Sequence, residues 1–390
     1  MVKLLHCHHR PKRTSFLPYG KQSIDEDDIQ AVVNVLRSDF ITQGPSIERF
    51  ERKIAEHVGA KYVVAFCNGT AALHGACFAA GIAPGDEVIT TPITFVASSN
   101  CVLYSGGTPI FADIRPDTYN IDPDEVARKI TPKTKAIIAV DFSGQPAETD
   151  RLSMLAHDHG LVLIQDAAHS IGASFGGRKV GSLADMTMFS FHPVKHITTG
   201  EGGVIATNSE EYRNRLLMFR SHGVTKEPEQ MERNDGPWYY EMQTLGYNYR
   251  MTDIQAALGV SQMDKLDRFV ARRREIAAQY NQAFSENEGI TIPYQHPAAE
   301  SSWHLYVIRW NQGTDRAKAF EELRSRNIGV HVHYIPVYNQ PYYRDLGYEQ
   351  KQCLHAEAYY EEAMCLPLFP GMTDDDVQDV IYAIKEVLRG

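Results

Sequence analysis

The sequence predicts an α/β fold, with a mainly parallel sheet covered on both faces by helices and a small C-terminal α+β domain after it. Three observations predict this. Short apolar, β-branched runs such as KYVVAF (61–66), KAIIAV (135–140) and LVLIQ (161–165) alternate with helical stretches, as strand–helix–strand units do. From about residue 185 the alternation gives way to a Gly-rich segment and then a long helical region. The chain has 390 residues, 43% of them hydrophobic, enough for a large core and, at roughly 100–200 residues each, two domains.

Taken in order, residues 1–18 read as a tail ending in an extended arm. Residues 19–262 form the large domain and 263–390 the small one. Ser23, Asp25 and Glu26 open a helix to about Arg37, and a second helix covers 46–57, both with acidic residues near their starts. Strand 61–66, helix 70–80, strand 86–90, helix 95–104 and strand 108–112 follow, then strand 135–140, helix 150–159 and strand 161–165. Strands at 186–191 and 204–207 flank Gly200, Gly202 and Gly203. One helical region is expected over 252–284, a strand over 303–310, a helix over 317–326, a strand over 330–333 and a terminal helix over 374–388.

Asp and Glu number 49 against 39 Lys and Arg, a net charge of −10, so no basic field draws in nucleic acid or an anionic membrane. No apolar run approaches the roughly 18 residues of a membrane span. The start, MVKLLHCHHRPKR, has no signal-like apolar stretch, and a soluble cytoplasmic protein is expected. The six cysteines are scattered without a C-x-x-C pair and read as reduced thiols. His6, Cys7, His8 and His9 cluster near the start but read as a solvated terminus. No metal site is expected.

In parallel sheets ligands sit at the carboxyl ends of strands. The first run ends in Cys67-Asn68-Gly69-Thr70, where glycine and a new helix offer free N–H groups to a phosphate. An ordinary helix cap by Asn68 or Thr70 is the alternative. LVLIQ ends in Asp166, an acid that could face a cationic ring nitrogen or a metal, or simply cap a helix or form a salt bridge. MTMFSF delivers Ser190 and His192, and Lys195 follows in a turn between strands, where a desolvated amine can act as a nucleophile. Phosphate cradle, strand-end acid and buried lysine together are what a pyridoxal 5'-phosphate site requires. Phe95, after Thr91-Pro92-Ile93-Thr94, either faces the ring or packs in the core. Ser190 and His192 do not make a hydrolase pair, since no nucleophile elbow surrounds them.

FITQGP (40–45), NGTAAL (68–73), PITFVAS (92–98), QDAAHSIGA (165–173), SFHPVKHITTGEGG (190–203), GYNYRMTDIQAALG (246–259) and VHVHYIPVY (330–338) together resemble the DegT–StrS family of sugar aminotransferases. The resemblance covers the chain from about Tyr19 onward and implies a fold-type-I pyridoxal phosphate enzyme acting on nucleotide-linked keto sugars. VDFSGQPAETD (140–150), SFHPVKHITT and FRSHGVTK (219–226) look most like the pseudaminic acid pathway members. Those transfer an amino group from L-glutamate to C4 of a UDP-linked 4-keto sugar.

Carried over by motif, the resemblance implies that Lys195 is the Schiff-base lysine, Asp166 the partner of the pyridine nitrogen and His169 a neighbour of the cofactor. Phe95 stacks on the ring, and Gly69, Thr70 and Ser190 meet the phosphate. Asn248 reaches in from the second subunit of a homodimer. Substrate contacts fall on Tyr19, Asp39, Phe40, Ile41, Thr42, Gly69, Ser190, Asn248, Ile335, Pro336, Val337 and Tyr338. Alternatives are a sister aminotransferase for another nucleotide keto sugar, a dehydratase (in which histidine replaces the lysine, against Lys195 here) and a non-catalytic pyridoxal phosphate regulator.

Overall fold

The protein is described here by a computed structural model covering residues 12–311 and 313–389. The His6–His9 cluster lies outside the described residues. Seven strands make the central sheet: β1 (Tyr62–Phe66), β2 (Glu87–Thr90), β3 (Thr108–Phe111), β4 (Thr134–Val140), β5 (Val162–Asp166), β6 (Met186–Ser190) and β7 (Gly203–Thr207). Their order is β1-β7-β6-β5-β4-β2-β3. From β3 through β6 every pairing is parallel, whereas β7 runs antiparallel to both β6 and β1.

Both faces of the sheet are buried, which is why its strands read as continuous apolar runs. Val63 and Ala65 of β1 pack with Phe50, Ile54 and Leu266 on one face. Val64 and Phe66 pack with Leu73, Leu216 and Phe219 on the other, the period-2 alternation of a pleated strand. Asp25 caps helix Glu26–Leu36 in a capping box with Asp28. Asn68 caps Gly69–Ala79 by accepting from the Ala71 N–H at 2.8 Å. Each places a side-chain acceptor where the first turn leaves donors free.

The second sheet has three antiparallel strands, β8 (Ile290–Thr291), β9 (Tyr306–Trp310) and β10 (Ala363–Leu366). Helices Leu266–Phe284, Arg316–Ser325 and Asp374–Val387 bury Ile276, Leu323, Val380 and Ile384 against it. Leu17 of the arm joins this core and bridges Ile328.

Three expectations are corrected. The region 252–284 is two helices, Asp253–Met263 and Leu266–Phe284. They part where Lys265 turns its ammonium onto Asp25 and Asp28. The strand expected from 303 begins at Tyr306, because Trp303 sits at φ 51° and residues 302 and 305 bond instead to the Ser143–Gly144 turn. Residues 330–333 form no strand; His331 alone bridges Cys365. Helices Pro123–Lys129, Glu210–Arg220 and Leu354–Glu362 were not anticipated. Among the described residues no helix is long and apolar enough to cross a membrane.

Candidate active site

The carboxyl ends of β1, β4, β5 and β6 open onto a cavity of about 930 Å³. Asn68, Val140, Asp166 and Ser190 from those ends line it, with Lys195 and Tyr19 beside them.

Lys195 lies on the connection between β6 and β7, a long link for an antiparallel pair. Phe191 and Ile197 are buried anchors on either side of it. The Phe191 N–H donates to the Gly202 carbonyl and the Thr199 N–H to Phe191. The Thr198 N–H reaches Gln262 Oε1 at 3.3 Å. The lysine therefore stands on a bonded turn. Burial lowers its ammonium to about 8, with Asp166 opposing the shift and Arg273 adding to it.

Asp166 ends β5 and is buried. Its carboxylate accepts from Ser98 Oγ at 2.6 Å and from the Ala168 N–H at 3.2 Å. Burial raises its pKa, while those two bonds and the Lys195 charge pull it back. A cation placed beside it would pull further in the same direction. His169, three residues on, is buried with Nδ1 unpaired, and its Nε2 lies 3.4 Å from Tyr334 Oη. Such an orphaned buried nitrogen calls for a partner that the cavity would hold.

The phosphate-sized end is built by close approach. A Cβ on Gly69 would stand 3.2 Å from Ser190 Cβ, and one on Gly203 would stand 2.6 Å from the Asn68 carbonyl oxygen. Gly69 and Thr70, the first residues of helix Gly69–Ala79, line this space, and a helix start is a favourable seat for an anion. Phe95 is 61% exposed and lines the cavity, so the core-packing alternative does not hold. Cradle, acid, amine, aromatic face and orphaned His169 Nδ1 are all present, and they fit pyridoxal phosphate.

Of the residues expected at the site, Lys195, Asp166, His169, Gly69, Thr70, Phe95, Ser190 and Tyr19 come together here. Others do not. Asp39 and Phe40 line a second cavity of about 580 Å³ between helices Glu26–Leu36, Pro45–Val58 and Asp253–Met263. Ile41 accepts from the Asp253 N–H, and Thr42 bridges Thr252. Val337 and Tyr338 are buried in the core, where Tyr338 Oη donates to Glu357 at 2.8 Å. Pro336 is buried too, Ile335 is exposed, and Asn248 is exposed beside Ser221.

Sequence reasoning passed over His304, His331, His333, Tyr334, Tyr249 and Glu201, all of which line the cavity. His333 and Tyr334 immediately precede the expected 335–338 segment, and it is they, not Ile335–Tyr338, that line the cavity. His304 had no local signal. It is brought in by the turn at Gly144, where an added Cβ would stand 2.7 Å from the His304 nitrogen.

Comparison with known proteins bears on this site. The sequence profile of the DegT/DnrJ/EryC1/StrS aminotransferase family matches residues 22–385. The spore coat polysaccharide biosynthesis protein SpsC of Bacillus subtilis is 41% identical over 384 residues, 97% of this chain and 99% of its own. Helicobacter pylori PseC, an aminotransferase involved in the biosynthesis of pseudoaminic acid, superposes with a TM-score of 0.90 at 33% identity, covering 96% of this chain and 100% of its own. A putative sugar aminotransferase of Streptococcus pneumoniae, solved in its PLP form, gives 0.90 at 32%, covering 96% and 99%.

Proposed function

The chain belongs to the DegT/DnrJ/EryC1/StrS aminotransferase family, and from that premise we propose its substrate, its residue roles and its assembly. It is a sugar aminotransferase that uses pyridoxal 5'-phosphate. In our reading it transfers the amino group of L-glutamate to C4 of UDP-2-acetamido-2,6-dideoxy-β-L-arabino-hexos-4-ulose. The product is UDP-4-amino-4,6-dideoxy-N-acetyl-β-L-altrosamine. The observation that carries the chemistry is one cavity holding the Lys195 amine, the Asp166 carboxylate and the Gly69–Thr70 helix start. Likeness to PseC and the 140–150, 190–199 and 219–226 motifs support the sugar.

When bound, pyridoxal phosphate supplies an electron sink for the carbon that loses its proton. Lys195 holds the cofactor between turnovers. Once displaced, its amine takes the proton from the α-carbon of glutamate and later delivers one to C4 of the sugar. With a pKa of about 8, about a tenth of such amines are neutral at pH 7, against roughly one in three thousand at the ordinary lysine value. Asp166, held by Ser98 and the Ala168 N–H, keeps the ring nitrogen protonated. The Gly69, Thr70 and Ser190 side of the cavity seats the phosphate, and Phe95 covers the ring.

Asn248 is assigned to the partner's site in a homodimer. Trp238, Tyr240, Met242, Leu245 and Tyr247, all exposed, crowd the segment that leads to it, and a second copy would cover them. Cytoplasmic placement is in keeping with the five described cysteines, none of which is in a disulfide.

The greater identity to SpsC favours a second reading, in which the acceptor is a different nucleotide-linked 4-keto sugar. Mixing the enzyme with L-glutamate and either the L-arabino sugar or its D-configured stereoisomer separates the two, with products identified by mass and NMR. Conversion of the L-arabino sugar alone is expected. Conversion of only the stereoisomer, or only of a sugar on another nucleotide, overturns the first reading.

A further inference from the structure

Cys365 and His333 meet at the edge of the cavity. Cys365 lies on β10, and the backbone at His331 pairs with it in both directions, N–H to O at 2.7 and 3.3 Å. Two residues on, His333 Nδ1 lies 2.9 Å from Cys365 Sγ. The His333 carbonyl accepts from Tyr359 Oη at 2.6 Å. The ring is thus held from its backbone and from one edge. Cys365 is fully buried, yet His333 lines the cavity, with the Tyr19 ring 5.3 Å away.

The placement of the protons follows from burial. It pushes the Cys365 thiol up to about 12 and the His333 imidazole down to about 3, so both are neutral near pH 7. Sulfur is a weak acceptor and a bare imidazole nitrogen a good one. The S–H therefore donates to Nδ1, and the ring carries its own proton on Nε2. Among the described residues nothing bonds Nε2, which leaves it for whatever the cavity binds.

We propose that His333 donates from Nε2 to an uncharged oxygen of the bound keto sugar, and that Cys365 is the positioning residue that fixes His333 in this tautomer. The inference rests on the keto-sugar reading above. A neutral N–H suits a hydroxyl or carbonyl oxygen, whereas the carboxylates of glutamate are better met by cations. Without the thiol, the ring is free to place its proton on Nδ1. Nε2 would then present a lone pair to the sugar oxygen.

The test compares the holoenzyme with Cys365→Ser, which keeps a hydroxyl donor, and Cys365→Ala, which removes it. Expected is an unchanged glutamate half-reaction in all three, followed as loss of the cofactor's yellow absorbance. The kcat/KM for the keto sugar should fall about tenfold in Cys365→Ala, the worth of one hydrogen bond, and recover in Cys365→Ser. Nitrogen-15 shifts of the His333 ring should report Nε2–H in wild type and Cys365→Ser and a mixture in Cys365→Ala. Equal sugar kinetics in wild type and Cys365→Ala overturn the proposal, as does a parallel loss in both half-reactions or an Nδ1–H ring in wild type. If wild type reacts with glutamate but not with this sugar, the substrate reading has failed instead. The nitrogen shifts then decide the tautomer by themselves: Nε2–H supports the role of Cys365, and Nδ1–H overturns it.

Discussion

Placing an amine where Lys195 stands should cost the cofactor-free protein stability. Burial lowers its pKa from 10.5 to about 8, and 10.5 − 8 = 2.5 units at about 1.36 kcal/mol each is roughly 3.4 kcal/mol. Lys195 is only partly buried and faces a cavity of about 930 Å³ that admits water, so we discount this to about 1–2 kcal/mol. The sign follows from proton counts. Between pH 8 and 10.5 the unfolded chain holds more protons on this lysine than the folded one, so stability rises with pH across that window. Below pH 8 the penalty is full. Lys195→Met removes the charge and keeps the volume. Urea unfolding of both cofactor-free proteins should show the variant more stable by about 1–2 kcal/mol at pH 7. The gap should narrow steadily to pH 10.5. A variant no more stable than wild type at pH 7, or a gap independent of pH, would refute the reasoning.

Other expectations follow from the same geometry. Gly203→Ala forces a Cβ to 2.6 Å from the Asn68 carbonyl oxygen; since backbone cannot yield as a side chain can, cofactor affinity measured by absorbance titration should fall at least about tenfold. Ser98→Ala removes the 2.6 Å bond to Asp166, a charged-group hydrogen bond of about 1.5–3 kcal/mol. Its kcat should drop by about ten- to a hundredfold, with a far-UV spectrum unchanged. Asp253→Ala strips the acceptor of the Gly44 and Ser46 N–H groups, at 2.7 and 2.8 Å, at the start of helix Pro45–Val58. A loss of about 2–3 kcal/mol in urea unfolding is expected.

The candidate site was legible where local signals and the strand-end rule agree. Asp166 and Ser190 close apolar runs, and Lys195 sits in the turn between two apolar strands, so each could be placed from its own neighbourhood. Phe95 could not, because wall and core look alike in sequence and only the cavity decides which one a phenylalanine joins. Val337 and Tyr338 sit in a motif that does approach the cavity, but they face Phe111 and the core, and the sequence showed no register. His304 depends on the Ser143–Gly144 turn some 160 residues earlier, a tertiary contact that no local pattern carries. Helix Glu210–Arg220 did have a signal, its Ser209 cap followed by Glu210 and Glu211, but its weakly amphipathic face concealed it.

The most direct measurement of the central claim, that Lys195 carries amino transfer to a keto sugar, is a single-turnover absorbance trace. The holoenzyme is bleached with L-glutamate, the amino acid is removed, and the UDP-linked L-arabino 4-keto sugar is added. The account predicts rapid return of the yellow spectrum in wild type and neither bleaching nor return in folded Lys195→Ala. A Lys195→Ala enzyme that completes the cycle at a rate near that of wild type would contradict it.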